Sequence, residues 1–193
     1  MKSVFRAQLE SLIPLEEDHW KELELRLELR TLKKGDVLQE AGKASLSMNY
    51  VVSGAIRSYL YLEGNEITWN FYFPGGIATD FQSFISEETT PLTFLSIDQS
   101  MVISLPKDQV AELYRKVPAL MQLETLFAKR AFLDMRQRME SFLLQSAEER
   151  YVSLIEKNPA LVRKIPNKDI ATYLGIAPQS LSRIKRRLFK SKK

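Results

Sequence analysis

Residues 165–188 constrain the fold of this chain more than any other segment, because two short helical patterns there are separated by a turn. Pro166 suits the start of a helix, where its missing N–H is not needed, and Asp169 suits the positive end of a helix. Gly175 ends the first pattern, where a left-handed residue is usual. A second helix is expected to begin near Pro178. The apolar residues that we expect to face inward, or to fill the turn, are Ile170, Ala171, Leu174, Ile176, Leu181, Ile184 and Leu188.

The outer face of the second helix is polar at its start and basic toward its end. Its members are Gln179, Ser180, Ser182, Arg183, Lys185, Arg186 and Arg187. The small side chain of Ala171 lets two helices cross closely, and a helix with this surface can enter the major groove of DNA. We therefore predict a helix-turn-helix unit. The alternative interpretation is a helical hairpin with a solvated basic face.

The charge distribution favours a partner that carries phosphate groups. Residues 163–193 contain ten basic side chains and one acidic side chain, a net charge of +9, whereas residues 1–162 contain 18 and 23, a net charge of −5, which gives the chain its +4. We expect Gln179, Ser180 and Arg183 to read base edges, since Gln can pair with adenine and Arg with guanine. The expected phosphate contacts are Lys164, Lys168, Lys185, Arg186, Arg187 and the basic tail after Leu188, which we expect to be mobile.

Composition excludes several classes of site. The chain has no cysteine, so disulfides, thiolate catalysis and iron–sulfur ligation are ruled out. Its single histidine, His19, has the sequence context of a surface residue, and metal sites need several convergent ligands. We expect no metal and no cofactor. There is no apolar run long enough for a membrane span, so we expect no membrane partner and a cytoplasmic location.

Near Leu32 the residue pattern changes from helical to strand-like. Residues 2–30 are predicted to be helical apart from a break at Pro14, with Leu25 and Leu27 packed inward. Strands are then predicted at 37–39, 48–52, 55–62, 67–73, 92–97 and 100–105. Short strands at intervals of roughly 8–12 residues, with glycine turns, indicate an antiparallel sandwich or small barrel.

A long uninterrupted helix is predicted from residue 119 to residue 145, after a shorter helix at 107–116. One apolar stripe consists of Leu120, Leu123, Phe127, Ala131, Met135, Met139 and Phe142 or Leu143. A second stripe contains Met121, Leu126 and Leu133. A helix that is apolar on two sides can serve its own domain and a second subunit, so we predict dimerisation. Burial within one subunit is the alternative. Ser146 and Glu149 are expected to cap the next helix.

This order of elements resembles the Crp/Fnr superfamily of bacterial transcription regulators, over the range from Leu32 to Leu188. The resemblance rests on K-G-D at Lys34, Y-V-V-S-G-A-I-R-S-Y from Tyr50, G-N-E before Ile67 and F-x-S-F at Phe81; residues 165–184 look most like Bacteroidetes-type members. It implies an α+β fold with an N-terminal antiparallel β-roll (double-stranded β-helix or jelly roll) and flanking helices in 1–118, a dimerisation helix in 119–145, and an all-α helix-turn-helix domain in 146–193.

The resemblance also implies function. By position, Pro178, Gln179 and Arg183 match the residues with which the family reads bases, on a pseudo-palindromic site bound by a homodimer. Many relatives carry Arg-Glu where this chain has Pro178-Gln179, which implies a different operator preference. Double-stranded DNA is the expected partner, and RNA polymerase and a small-molecule effector are further partners that the resemblance suggests.

The cyclic-nucleotide pocket of the family is altered in this sequence. The family's ribose-binding Glu matches Asp80, and its phosphate-binding Arg matches Thr90; Gln82 and Ser83 lie between them. No Arg or Lys occurs between Arg57 and Lys107. Because a buried phosphate without a cation is poorly compensated, we predict that cyclic AMP is not bound in the usual way. The carboxylates at Asp80, Glu87 and Glu88 are expected in a solvated loop.

Two other functions are compatible with parts of the sequence. One is a small-ligand sensor whose DNA-binding unit has lapsed, with a polar pocket around Asp80, Gln82, Ser83 and Thr90. The other is an enzyme on a cupin-like roll. Such an enzyme needs His and carboxylates on the barrel, whereas His19 lies outside the strands, so the chain is not expected to be an enzyme.

Overall fold

The N-terminal region forms two short helices and then enters a sheet. The computed structural model describes residues 2–157 and 159–190. Helix α1 spans Lys2–Glu10 and α2 spans Glu17–Glu24. The prediction of helix as far as residue 30 is wrong, because β1 (Glu28–Leu32) pairs antiparallel with β7 (Ser100–Pro106). Leu25, expected inside, is 81% exposed, whereas Leu27 is buried as expected.

In the described part of the chain, seven antiparallel strands form two sheets that enclose a small apolar core. The remaining strands are β2 (Val37–Gln39), β3 (Ser47–Ser53), β4 (Ile56–Leu62), β5 (Asn65–Tyr72) and β6 (Thr93–Ser96). One sheet has the order β1-β7-β3 and the other β2-β6-β4-β5. The side chains enclosed between them include Val51, Ile56, Phe94 and Val102. The predicted β-roll is confirmed.

Helices follow the roll and one interrupts it. Between β5 and β6 lies α3 (Phe81–Ser86), which the sequence did not predict as a helix. After β7 come α4 (Lys107–Lys116), α5 (Leu120–Leu144), α6 (Ala147–Lys157), α7 (Pro159–Val162), α8 (Asn167–Leu174) and α9 (Pro178–Lys190). The predicted helices agree with α4, α5, α6, α8 and α9, and the short α7 lies where a linker was expected. The last three residues of the expected mobile tail, 191–193, lie outside the described residues.

The two apolar stripes predicted on α5 have different surroundings along the helix. In its first turns Leu120 and Leu123 are buried against α1, α2 and α4. Further along, Phe132, Met135 and Met139 are each about three fifths exposed. The roll and its flanking helices therefore cover one end of α5 and leave the other end apolar and open. Among the described helices, none combines the length and hydropathy that a membrane span requires.

Candidate nucleic-acid interface

Helices α8 and α9 are joined by a tight turn whose geometry follows the sequence pattern. Gly175 has a φ of +68° and ends α8, and the N–H of Ile176 donates to the carbonyl of Ala171 at 3.0 Å. On α9, Leu181 and Ile184 are buried in the cluster that forms the core of this unit. Their burial turns the opposite face of α9 toward solvent.

The outer face of α9 contains some side chains without a bonded partner and others that are bonded within the unit. Gln179, Arg183 and Arg186 are exposed, and none of their side chains makes a hydrogen bond or ion pair with another described residue. Pro178 and Ser182 are also exposed, and the Ser182 hydroxyl donates to the carbonyl of Pro178 at 3.1 Å. Side-chain groups that have no partner in the described part of the chain are available to a ligand.

Three members of the predicted face are partly turned inward or bonded to the unit itself. Ser180 and Lys185 are half-buried. Lys185 Nζ donates to Asn167 Oδ1 at 2.5 Å, and burial lowers the pKa of this lysine. Arg187 forms an ion pair with Glu148 of α6. The freely presented face is therefore narrower than the sequence pattern indicated.

The two lysines expected to contact phosphates before α9 have different environments. Lys168, in the first turn of α8, is exposed and has no bonded partner among the described residues. Lys164 Nζ instead lies 2.5 Å from Oδ2 of Asp98. Asp98 belongs to the connection between β6 and β7. That contact lowers the pKa of Asp98 and joins the C-terminal unit to the roll.

Three arginines from other elements, none of them predicted as a functional residue, contact the two ends of α8. At its first turn, Asp169 faces Arg57 of β4. At its last turn, Arg138 of α5 donates to the carbonyl of Tyr173 at 3.1 Å, and Arg150 of α6 to that of Leu174 at 2.9 Å. Cations are favourable at a helix C-terminus. The one feature of the sequence that could have indicated these contacts is Arg57, a charged residue in the middle of a strand-like run.

In the predicted ligand pocket, polar side chains bond mainly to one another and to the backbone. Asp80 is not in a solvated loop, because its Oδ1 caps α3 by accepting from the N–H of Gln82 at 3.1 Å. Its Oδ2 accepts from the Thr90 hydroxyl at 2.5 Å, and Thr90 is buried. The Ser83 hydroxyl donates to the carbonyl of Glu88 at 2.5 Å. Gln82 itself is exposed.

The cation closest to this region in the chain serves a different purpose. Lys107 Nζ donates to the carbonyls of Phe84 and Ile85 at the end of α3, and lies 3.0 Å from Glu87. It therefore neutralises the C-terminus of α3. His19 is half-buried on α2, and no cluster of three or more His, Cys, Asp or Glu among the described residues could hold a metal ion.

The structure combines three parts in chain order: a β-roll, a long helix with an open apolar end, and a helix-turn-helix unit with a free basic face. This combination is typical of transcription regulators in which a sensor domain precedes a DNA-binding unit. Comparison with known proteins agrees. Residues 29–117 match the family model of the cyclic nucleotide-binding domain.

Two characterised relatives and one solved structure illustrate the similarity. The chain is 25% identical over 167 residues to the transcriptional activator protein Anr of Pseudomonas aeruginosa, covering 80% of this chain and 68% of the relative. It is 27% identical over 174 residues to the fumarate and nitrate reduction regulatory protein of Yersinia pestis, covering 84% and 69%. The structure of FixK2 from Bradyrhizobium japonicum superimposes with a TM-score of 0.69 at 18% identity, covering 86% of each chain.

The chain is similar to transcription regulators of the Crp/Fnr type. The relatives are regulators and not enzymes, which agrees with the expectation from the sequence.

Proposed function

We propose that this chain is a DNA-binding transcription regulator that acts as a homodimer on a pseudo-palindromic operator. The observation that carries the proposal is the free polar face of α9, where Gln179, Arg183 and Arg186 are exposed on a helix whose other face is buried. Side chains of these types pair with base edges and phosphates. The similarity to Anr, a transcriptional activator protein, supports a role in transcription regulation.

The open end of α5 supports the dimer. Phe132, Met135 and Met139 follow the spacing of three and four residues that is typical of a helix–helix seam. Exposed apolar side chains in such a row are unfavourable in water, and a second copy of the helix would cover them. We propose units at 1–118, 119–145 and 146–193, with 119–145 as the dimerisation element. A cytoplasmic location is part of this proposal, because the target is DNA.

We further propose that the cyclic-nucleotide pocket is degenerate. The hydrogen bond between Asp80 and Thr90 supports this, because both positions that would receive a ribose and a phosphate are bonded to each other. A desolvated phosphate without a cationic partner costs several kcal/mol.

Selection of bound duplexes from a random DNA library tests the function directly. We expect enrichment of one sequence with two related half-sites about one helical turn apart. Arg183→Ala should then weaken operator binding by roughly 1–3 kcal/mol, the value of one good base contact, with a smaller effect on random DNA. Arg115→Ala, an exposed arginine on α4, is the matched control.

Two results would contradict the proposal. Equal loss on operator and random DNA would remove Arg183 from base reading. A library with no enriched sequence would favour the alternative of a sensor whose DNA-binding unit has lapsed.

A further inference from the structure

The core of the helix-turn-helix unit is completed by the sensor sheet. Helix α8 lies against the outer face of β5, where the rings of Phe71 and Tyr173 have centroids 5.0 Å apart. Ala55, Phe71 and Ile97 of the roll belong to the same buried cluster as the core of α8 and α9. Separation of the two units would therefore expose apolar surface on both sides.

Arg57 extends from the sensor sheet into this contact. Its side chain is 3% exposed, its Nη1 donates to Glu66 at 2.7 Å, and its Nε donates to the Thr68 hydroxyl at 2.9 Å. Its Nη2 lies 3.4 Å from Asp169 Oδ1 on the first turn of α8, as an ion pair without hydrogen-bond geometry. A buried guanidinium needs its anionic partners. The roll and α8 thus share one buried charge cluster.

A second polar link lies at an irregularity in the pairing of β4 with β5. The register shifts between Ser58 and Tyr59, and near this point the backbone N–H of Thr68 donates to the Thr172 hydroxyl at 3.2 Å. The hydroxyls of Thr68 and Thr172 are 2.9 Å apart. A buried backbone donor needs an acceptor, and for Thr68 that acceptor comes from the helix-turn-helix unit.

We infer that Arg57 and Thr68 of the sensor roll are positioning residues for DNA reading, because they fix the direction of α8 and, through the turn at Gly175, that of α9. This inference rests on the proposed function. The docked arrangement leaves Gln179 and Arg183 exposed, so docking presents the reading face and does not cover it. A dimer that contacts two half-sites must hold both reading helices at a fixed separation and direction. Direct attachment to the roll supplies that constraint.

Two substitutions break the link without changing the face of α9. Asp169→Asn removes the charge from α8 but leaves Arg57 paired with Glu66, and Thr172→Val removes the hydroxyl at nearly constant volume. The same chemical changes at Asp18→Asn and Thr31→Val, on exposed positions of α2 and β1, are the controls. Thr172→Ser restores the hydroxyl and should restore the wild-type behaviour.

Amide hydrogen exchange of Thr68, measured on the full chain without DNA, reports docking by itself. We expect this amide to be protected in the wild type and to exchange at least tenfold faster in Asp169→Asn and Thr172→Val. An unprotected Thr68 amide in the wild type, or unchanged exchange in both variants, would overturn the inference whatever the DNA results are.

Binding to the duplex selected by the wild type reports the consequence for DNA reading. We expect both variants to lose at least tenfold in operator affinity while affinity for random duplex DNA changes less than threefold, since local phosphate contacts remain. Operator affinity that is unchanged or higher in the variants would overturn the inference. Failure of the wild type to select any sequence would refute the proposed function instead, and the exchange of Thr68 separates the two cases.

Discussion

At the scale of single residues, Gly175 shows how one backbone conformation joins two elements. It lies at a φ of +68°, and a Cβ placed there would be 3.1 Å from Cε1 of Phe142 on α5. Phe142 in turn lies under the guanidinium groups of Arg138 and Arg150, which bond to the end of α8. The turn is therefore restricted both by its own conformation and by the side chain that packs on it.

Two glycine substitutions separate the effect of the left-handed backbone conformation from the effect of the contact with Phe142. Gly64 in the β4–β5 turn has a φ of +77°, and a Cβ added there would meet no atom within 4 Å. Gly64→Ala should therefore show the left-handed strain alone, about 1 kcal/mol of unfolding free energy. Gly175→Ala should lose about 1 kcal/mol more, because Phe142 must move. Urea denaturation of both variants measures the difference, and equal losses would show that the Phe142 contact is easily relieved.

At the scale of elements, α5 has one stretch that the roll covers and one that it leaves open. The sequence showed apolar stripes along the whole helix, and the fold decided that Leu120 and Leu123 serve the roll while Met135 and Met139 stay exposed. The open stretch carries the proposal of a dimer.

A charge placed in the open stretch tests that proposal. Met135→Glu puts two carboxylates close to each other across a two-fold axis, so we expect the dimer to dissociate in analytical ultracentrifugation. Gln137→Glu adds the same charge on the other side of the same helix and should leave the mass unchanged. A Met135→Glu protein that sediments as the wild type would place the subunit contact elsewhere.

The capping box of α6 predicts a specific pH dependence. The carboxylate of Glu149 accepts from the N–H of Ser146 at 2.7 Å, which lowers the pKa of Glu149 below its ordinary value of 4.5. A carboxyl whose folded pKa is depressed stabilises the protein above its unfolded pKa, and this stabilisation disappears as pH falls through the folded pKa. Denaturation curves should show the wild type more stable than Glu149→Gln at neutral pH, with the difference vanishing in acid below pH 4.5. A difference that does not depend on pH would contradict the capping role of the charge.

At the scale of the whole molecule, the roll matches the cyclic nucleotide-binding domain family, while the polar groups of the proposed pocket are bonded internally. Asp80 and Thr90 are paired with each other, and Lys107 is bonded to the end of α3. Two charged side chains of the roll, Arg57 and Asp98, contact the helix-turn-helix unit or the residues just before it.

Cyclic AMP should therefore leave the thermal stability of the protein unchanged. A ligand present at about 100 times its Kd adds about 2.7 kcal/mol to the folded state, which for a chain of this size is a melting shift of roughly 5–10 °C. Calorimetric melting with cyclic AMP, and with AMP as the control nucleotide, measures this shift. A rise with cyclic AMP alone would mean that the pocket rearranges to accept it.

The elements of this protein could be predicted from the sequence because their signals are local. The helix-turn-helix follows from the spacing between Ile170 and Leu188, and the roll follows from short strand-like runs and glycine turns. Helix α3 was missed because its six residues carry too little periodicity. The end of the first helical region was placed wrongly because residues 28–32 become a strand by pairing with β7, which is about seventy residues away in the chain.

The sequence by itself determined the class of fold, the succession of roll, long helix and helix-turn-helix, and the basic character of α9. The tertiary structure alone decided which basic groups are free, since Lys185 and Arg187 are bonded inside the unit while Arg183 is not. It also decided that Thr172 satisfies Thr68, a residue 104 positions earlier. The physical reason is that periodicity and turn chemistry act between near neighbours, whereas the pairing of buried charges and donors depends on packing between distant segments.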